Sequence, residues 1–303
     1  MPSGLRRALD WGKLAPLRLV ARSVADGVYA GAHRSARRGG GVEFGGHRAY
    51  VPGDDLRFVD RRALMRHERL LVREFETETD RTLRLIVDAS ASMGFRSERA
   101  PGAKLAFAAV VAAALGRVAL AGGDPVALDW IGGDGVRPLP ATGGRESFER
   151  LLGALEDAAA GGDLSRDATA LDVALAPVAR HARRGALVVL LSDLLDLPPG
   201  TPERFAALAS RGRTQVVVQV LDPLEASFGL TGPVRLRSLE GDTVVETDAD
   251  AARAGFLQAL ERLTELWRDR LVPRGGALVR ATTDSDPVKV VRSVLGAAEG
   301  RHR

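Results

Sequence analysis

The sequence predicts an α/β fold: a doubly wound, mostly parallel sheet flanked by helices, with an N-terminal extension and a small inserted hairpin. Three observations predict it. After Thr82, β-rich apolar segments alternate with segments of helical periodicity, the pattern of crossover units joining parallel strands. Leu187-Val188-Val189-Leu190-Leu191 is an unbroken aliphatic run, as a strand buried on both faces requires. The chain is 45% hydrophobic but only 5% aromatic, which suits aliphatic helix-on-sheet layers and argues against an all-β sandwich.

At 303 residues the chain fits one core of about two hundred residues plus an extension. Residues 1–41 read as a basic helical and flexible extension. Leu14, Leu17, Val20, Val24 and Val28 have helical spacing over 13–32, and Arg37-Arg38-Gly39-Gly40-Gly41 then breaks the pattern as a flexible joint. Residues 42–81 are a more polar segment with a turn at Pro52-Gly53-Asp54-Asp55 and helical potential from Arg61 to Glu74. Residues 82–285 hold the α/β pattern, and 286–303 read as a C-terminal tail.

Within that pattern the candidate strands are Leu83–Val87, Val126–Trp130, Leu187–Leu191, Val216–Leu221 and Ala277–Arg280. Helical patterns lie at 103–121, 145–160, 170–183, 202–210 and 250–270. Residues 233–247 alternate around Gly241-Asp242, a hairpin signal. Trp267, among Leu260, Leu263, Leu266 and Leu271, sits on an apolar helix face and reads as core.

The chain has no cysteine, which removes disulfides, thiolate zinc sites and cysteine nucleophiles together. The apolar run Leu105–Leu120 is short for the ~20 residues of a bilayer crossing and reads as a buried helix, so no transmembrane segment is expected. No secretory cleavage pattern follows the basic N-terminus, and the cytoplasm is the expected location. The net charge is +4, with nine Arg or Lys against three acids in residues 1–50. That basic arm is either a solvated face or a contact for an acidic partner, nucleic acid or membrane surface.

The chemistry concentrates where strand Leu83–Val87 ends in Asp88-Ala89-Ser90-Ala91-Ser92-Met93-Gly94. In open α/β sheets, ligands bind beyond the carboxyl ends of strands. Asp88, Ser90 and Ser92 at alternate positions of an extended loop can turn one carboxylate and two hydroxyls into the same space, a hard-oxygen cage suited to magnesium or manganese. Thr169, ahead of the helix at 170–183, and Asp193, after strand 187–191, are placed to add to it. The plainer readings are that Asp88, Ser90, Ser92 and Thr169 cap turns and helices, and that Asp193 and Asp196 are ordinary loop acids.

These residues resemble the metal-ion-dependent adhesion site of von Willebrand factor A domains. That site combines D-x-S-x-S, a threonine in T-x-x-x-x-A-L, matched here by Thr169 with Ala174-Leu175, and an aspartate after a later strand, matched by Asp193. The resemblance implies a Rossmann-like fold and one divalent cation, magnesium or manganese. It also implies direct ligation by Ser90, Ser92 and Thr169, with Asp88 and Asp193 acting partly through water, and a partner protein's acidic side chain as the last ligand. Upstream, Tyr50-Val51-Pro52-Gly53-Asp54-Asp55-Leu56-Arg57-Phe58-Val59-Asp60 is similar to the Y-x-P-G-D-D-x-R-x-x-D signature of the bacterial family named domain of unknown function 58, and Arg73-Glu74-Phe75-Glu76 also fits. Arg61 stands where that family usually has Trp. The likeness covers roughly residues 45–285. It implies work beside a MoxR-type AAA+ ATPase in protein maturation or complex assembly.

The expectation is therefore a metal-dependent protein-binding module and not an enzyme, with no small-molecule substrate. Asp54, Asp55, Arg57 and Asp60 are expected either to pin the extension to the core by salt bridges or to touch a partner. The alternatives are a basic-arm binder of nucleic acid or membrane surface, recognisable by its steep salt dependence, and a magnesium-dependent phosphohydrolase attacking through a strand-end Asp. Against the hydrolase, Ser90 stands where the haloacid-dehalogenase pattern needs a second Asp. No phosphate-binding G-x-x-x-x-G-K-[ST] motif is present.

Overall fold

The structure, a computed structural model, describes residues 17–29, 40–50, 71–76, 81–164, 169–210, 212–241 and 243–299. The chain divides into two compact units, residues 32–80 and residues 1–31 together with 81–303.

In the smaller unit, strand β1 (Gly40–Ala49) pairs antiparallel with β2 (Leu71–Glu76), aligning Ala49 with Leu71 and Phe44 with Phe75. This corrects two expectations. The glycine run read as a joint already begins a strand at Gly40, and Leu71–Glu74, read as helical, is extended. A neighbouring ladder that takes up the backbone N–H and C=O groups outweighs the weak local propensity of such short stretches. Asp54, Asp55, Arg57 and Asp60 lie outside the described residues.

The larger unit contains helix α1 (Leu17–Tyr29), β3 (Leu83–Asp88), α2 (Lys104–Ala121), β4 (Val126–Ile131), β5 (Leu139–Thr142), α3 (Arg145–Asp157) and α4 (Ala170–His181). It continues with β6 (Leu187–Ser192), α5 (Thr201–Ala207), β7 (Thr214–Leu221), α6 (Pro223–Ser227), the hairpin β8 (Pro233–Arg237) and β9 (Val244–Asp248), α7 (Ala249–Leu271), β10 (Ala277–Thr282) and α8 (Pro287–Glu299). The main sheet has the order β10-β7-β6-β3-β4-β5, parallel except for the antiparallel edge strand β5. The doubly wound, mostly parallel sheet is thus present, and each of the five expected strands belongs to it.

Side chains alternate across the strands, so the sheet feeds two cores. Leu83, Leu85, Val87, Val189 and Val218 face a layer made of α1, α2, α3 and α8. Ile86, Val188, Leu190 and Val217 face α4, α5 and α7. Trp267 is buried there, its ring 6.1 Å from that of Phe205. Helix α2 is apolar enough by length and composition to cross a bilayer, yet here it is mostly buried within the domain. Gly116 lets it approach α3, since a Cβ would stand 2.3 Å from Leu151.

Two segments differ from the sequence reading. Helix α1 joins the core, burying Leu17, Ala21, Val24, Ala25 and Val28. Residues 287–299, read as a tail, form α8 and bury Val290, Val291 and Val294 against the same layer. In both, a stripe of apolar residues at helical spacing finds a covered face, and each fully buried Val or Leu contributes about 1.5–3 kcal/mol.

Strand order positions the site. The chain leaves β3 toward β4 through α2 on one face, then returns to β6 on the other side of β3 and leaves it through α5 on the opposite face. The loops after β3 and β6 therefore diverge, opening a crevice at the carboxyl edge where strand order reverses.

Candidate functional site

Asp88 ends β3 inside that crevice, 1% exposed. Its Oδ1 accepts from Ser90 N at 2.9 Å, which curls the loop back on the strand end, and its Oδ2 accepts from the Ser192 hydroxyl at 2.6 Å. A 3-10 turn, Ala91–Gly94, carries Ser92, whose hydroxyl lies 3.2 Å from Ser90 Oγ and donates to Asp193 Oδ2 at 2.8 Å. The loop is backed by a second one: Gly161 N donates to Ala89 O at 2.9 Å. Gly133, with φ of 92°, permits the approach, because a Cβ there would stand 2.6 Å from that of Ala89.

Asp193 follows β6 and is buried. The next residue, Leu194, takes the left-handed conformation with φ of 68°, costly for leucine and held because its side chain is buried in the core below. That bend brings Leu195 N to Asp193 Oδ1 at 3.0 Å. Asp193 Oδ2 also accepts from Lys104 Nζ at 2.7 Å, and Lys104 donates in turn to Glu225 Oε1 at 2.7 Å. Lys104 is the first residue of α2, the end where the helix dipole disfavours a cation. The two carboxylates are what hold it there. Glu225 is itself fixed through Oε2, which accepts from Asp222 N at 2.9 Å.

Burial, then the Asp193 carboxylate, pushes Asp88 up to about 7, against the pull of its bonds to Ser192 and Ser90. Burial draws the Lys104 ammonium down, but Asp193 and Glu225 together outweigh it and leave the group raised. Glu225 is raised by burial in spite of Lys104. Burial and the charges of Glu240 and Asp193 raise Asp196 as well.

Of the residues singled out from sequence, Asp88, Ser90, Ser92 and Asp193 form one hydrogen-bonded set across two strand ends. Asp196 is exposed. Thr169 begins α4 with an exposed side chain that makes no cap bond to the helix. Four polar partners were not singled out. Ser192 sits beside Asp193 in the motif and was legible by adjacency. Lys104 heads a helix whose next charged residue is Arg117, thirteen positions on, and Glu225 closes a D-x-x-E capping box with Asp222. Glu240, in the turn of the hairpin, carries no local signal.

The donors are hard oxygens, two carboxylates and the hydroxyls of Ser90 and Ser92, which suit magnesium or manganese more than a softer metal. Among the described residues no group of three or more His, Asp and Glu is arranged to hold an ion, so a cation here would rely on hydroxyls and retained water. The raised Asp88 fits that use: two buried carboxylates repel each other, and a divalent cation relieves the repulsion.

The profile of a family described as "Protein of unknown function DUF58" matches residues 46–265. The uncharacterized protein Rv1480 of Mycobacterium tuberculosis is 32% identical over 268 residues, 85% of this chain and 81% of that protein. Among solved structures, the conserved hypothetical protein BatB of Bacteroides thetaiotaomicron aligns at 18% identity over 72% of this chain and 98% of its own, with a TM-score of 0.44. A von Willebrand factor type A protein of Catenulispora acidiphila aligns at 14% identity over 74% of this chain and 43% of its own, with a TM-score of 0.37.

Proposed function

This chain belongs to the DUF58 family, and from that premise we propose that it is a protein-binding module, not an enzyme, that holds one divalent cation and offers it to an acidic side chain of a partner protein. The cation is magnesium or manganese, held by Asp88, Ser90, Ser92, Thr169 and Asp193. One observation carries the reading: Asp88 and Asp193, buried at the ends of adjacent strands, each accept a hydroxyl from a serine beside the other, Asp88 from Ser192 and Asp193 from Ser92, at the crevice where strand order reverses. Bound there, a cation would supply a coordination position for a carboxylate that arrives from outside. The serines orient the carboxylates, and the buried surroundings strengthen each charge interaction.

The resemblance noted in the sequence extends the reading to the partner, a MoxR-type AAA+ ATPase acting in the cytoplasm on protein maturation or complex assembly. The primary test is calorimetric titration of magnesium and manganese into the wild type and into a Ser90→Ala/Ser92→Ala variant. Binding by the wild type that is lost with the hydroxyls supports the reading. Equal binding by both proteins moves the cation elsewhere, and binding by neither removes the metal from the function.

A further inference from the structure

The main sheet has two edges, and they are built differently. At one edge β5 is four residues long and contains Pro140, two features that blunt an edge against further pairing. At the other, β10 is six residues long without a proline, and among the described residues it pairs with β7 alone. The strands between the edges are buried almost throughout, whereas Ala277, Leu278 and Val279 of β10 are half-buried and Arg280 is exposed.

Hydrogen bonds at the end of β10 fix which of its backbone groups face outward. Thr283 N donates to Leu221 O of β7 at 2.9 Å, while Thr282 N donates away from the sheet, to Ser285 Oγ at 2.9 Å. Successive residues of a strand turn their N–H and C=O groups to opposite sides. Val279 and Ala281 therefore face β7 with theirs, and Leu278 and Arg280 present theirs at the open edge. The side chains divide as well: Val279 and Ala281 lie on the α8 side, Leu278 on the α7 side, and there Arg280 donates to Glu261 of α7 at 2.8 Å. Between the edge and α8 is a cavity of about 310 Å³, with Val279 and Val290 in its lining.

We infer that β10 is a self-pairing edge: two copies of the chain join antiparallel about a twofold axis at Val279, and one sheet continues through both. The strand is its own complement in this register. Leu278 of each copy stands opposite Arg280 of the other, and since both present outward backbone, each such pair exchanges two hydrogen bonds. Val279 meets Val279 in the closer pair between them, on the α8 side beside the cavity, and Ala277 meets Ala281. Each Arg280 brings its own counter-charge in Glu261, so the copies do not meet as like charges. Self-pairing does not depend on the cation.

The test is sedimentation equilibrium of the wild type and Arg280→Pro from micromolar to millimolar chain, with amide hydrogen exchange of the wild type followed by NMR over the same range. The wild type is expected to form a dimer. Proline at 280 withdraws one outward N–H from each copy, keeps the ladder to β7, and is expected to weaken the dimer about tenfold or more. The Leu278 and Arg280 amides are expected to exchange about tenfold or more slowly in the dimer than in the dilute protein, while those of Val279 and Ala281 are slow in both. A wild type that stays monomeric throughout, or a dimer in which the Leu278 and Arg280 amides stay fast, overturns the inference. So does undiminished dimer affinity in Arg280→Pro. The exchange measurement needs no substitution and carries the test if the proline variant does not fold.

Discussion

Lys104 Nζ and Asp193 Oδ2 stand 2.7 Å apart with their side chains 0% and 1% exposed, tying the first turn of α2 to the end of β6. Replacing one member of a buried pair leaves the other charge uncompensated, at a cost of about 3–5 kcal/mol. Lys104→Met is therefore expected to lower the unfolding free energy by that amount in urea titrations, while Glu225→Gln, at a more exposed partner, costs less. A loss below about 1 kcal/mol in Lys104→Met would mean that solvent screens the pair after all.

How much of this was legible in the sequence follows from the range of the interactions. The strands were, because each is an aliphatic run bounded by turn residues, as in Leu187–Ser192. Leu139–Thr142 was not: it is four residues long, contains a proline and gains its strand character only by pairing with β4 at the sheet edge. Asp88, Ser90 and Ser92 share one loop, and their spacing announced it. Lys104 meets Asp193 across 89 residues and Glu240 meets Ser92 across 148. Such meetings are decided by which strands become neighbours, and no local pattern encodes that.

Thr169 separates a ligand role from a capping role. A side-chain cap is worth about 1 kcal/mol, but Thr169 makes no cap bond to α4. With Thr169 as a cation ligand, Thr169→Ala is expected to weaken manganese binding about tenfold or more. A drop in stability with unchanged manganese affinity would return Thr169 to the role of a helix-start residue.

Helix α1 tests whether the basic extension is a free arm. Leu17 and Val24 are 1% and 6% exposed within the layer that also buries Val291 and Val294 of α8. Tyr29 adds a bond to Val118 O at 3.1 Å. Large-to-small changes in such positions leave cavities, and Leu17→Ala is expected to cost about 2–5 kcal/mol, with Val24→Ala toward the low end. Unchanged midpoints in both variants would show that the helix does not stay docked in solution.

Asp129 of β4 offers a pH test away from the crevice. It is 6% exposed, and burial pushes it up to about 6 although the Arg84 guanidinium pulls it down. Among the described residues its Oδ2 has no hydrogen-bond partner. The folded protein therefore holds this proton more tightly than the unfolded chain does, so the stability it contributes is full below about pH 4 and is lost as pH rises through about 6. A shift of about two units corresponds to about 3 kcal/mol across that window. Asp88 titrates in the same direction, so the comparison must be between wild type and Asp129→Asn. The asparagine variant carries no ionisable group at this position, so its stability should fall less steeply between about pH 4 and 7. Urea midpoints across that range decide it, and parallel curves for the two proteins would mean that Asp129 titrates as an ordinary carboxylate.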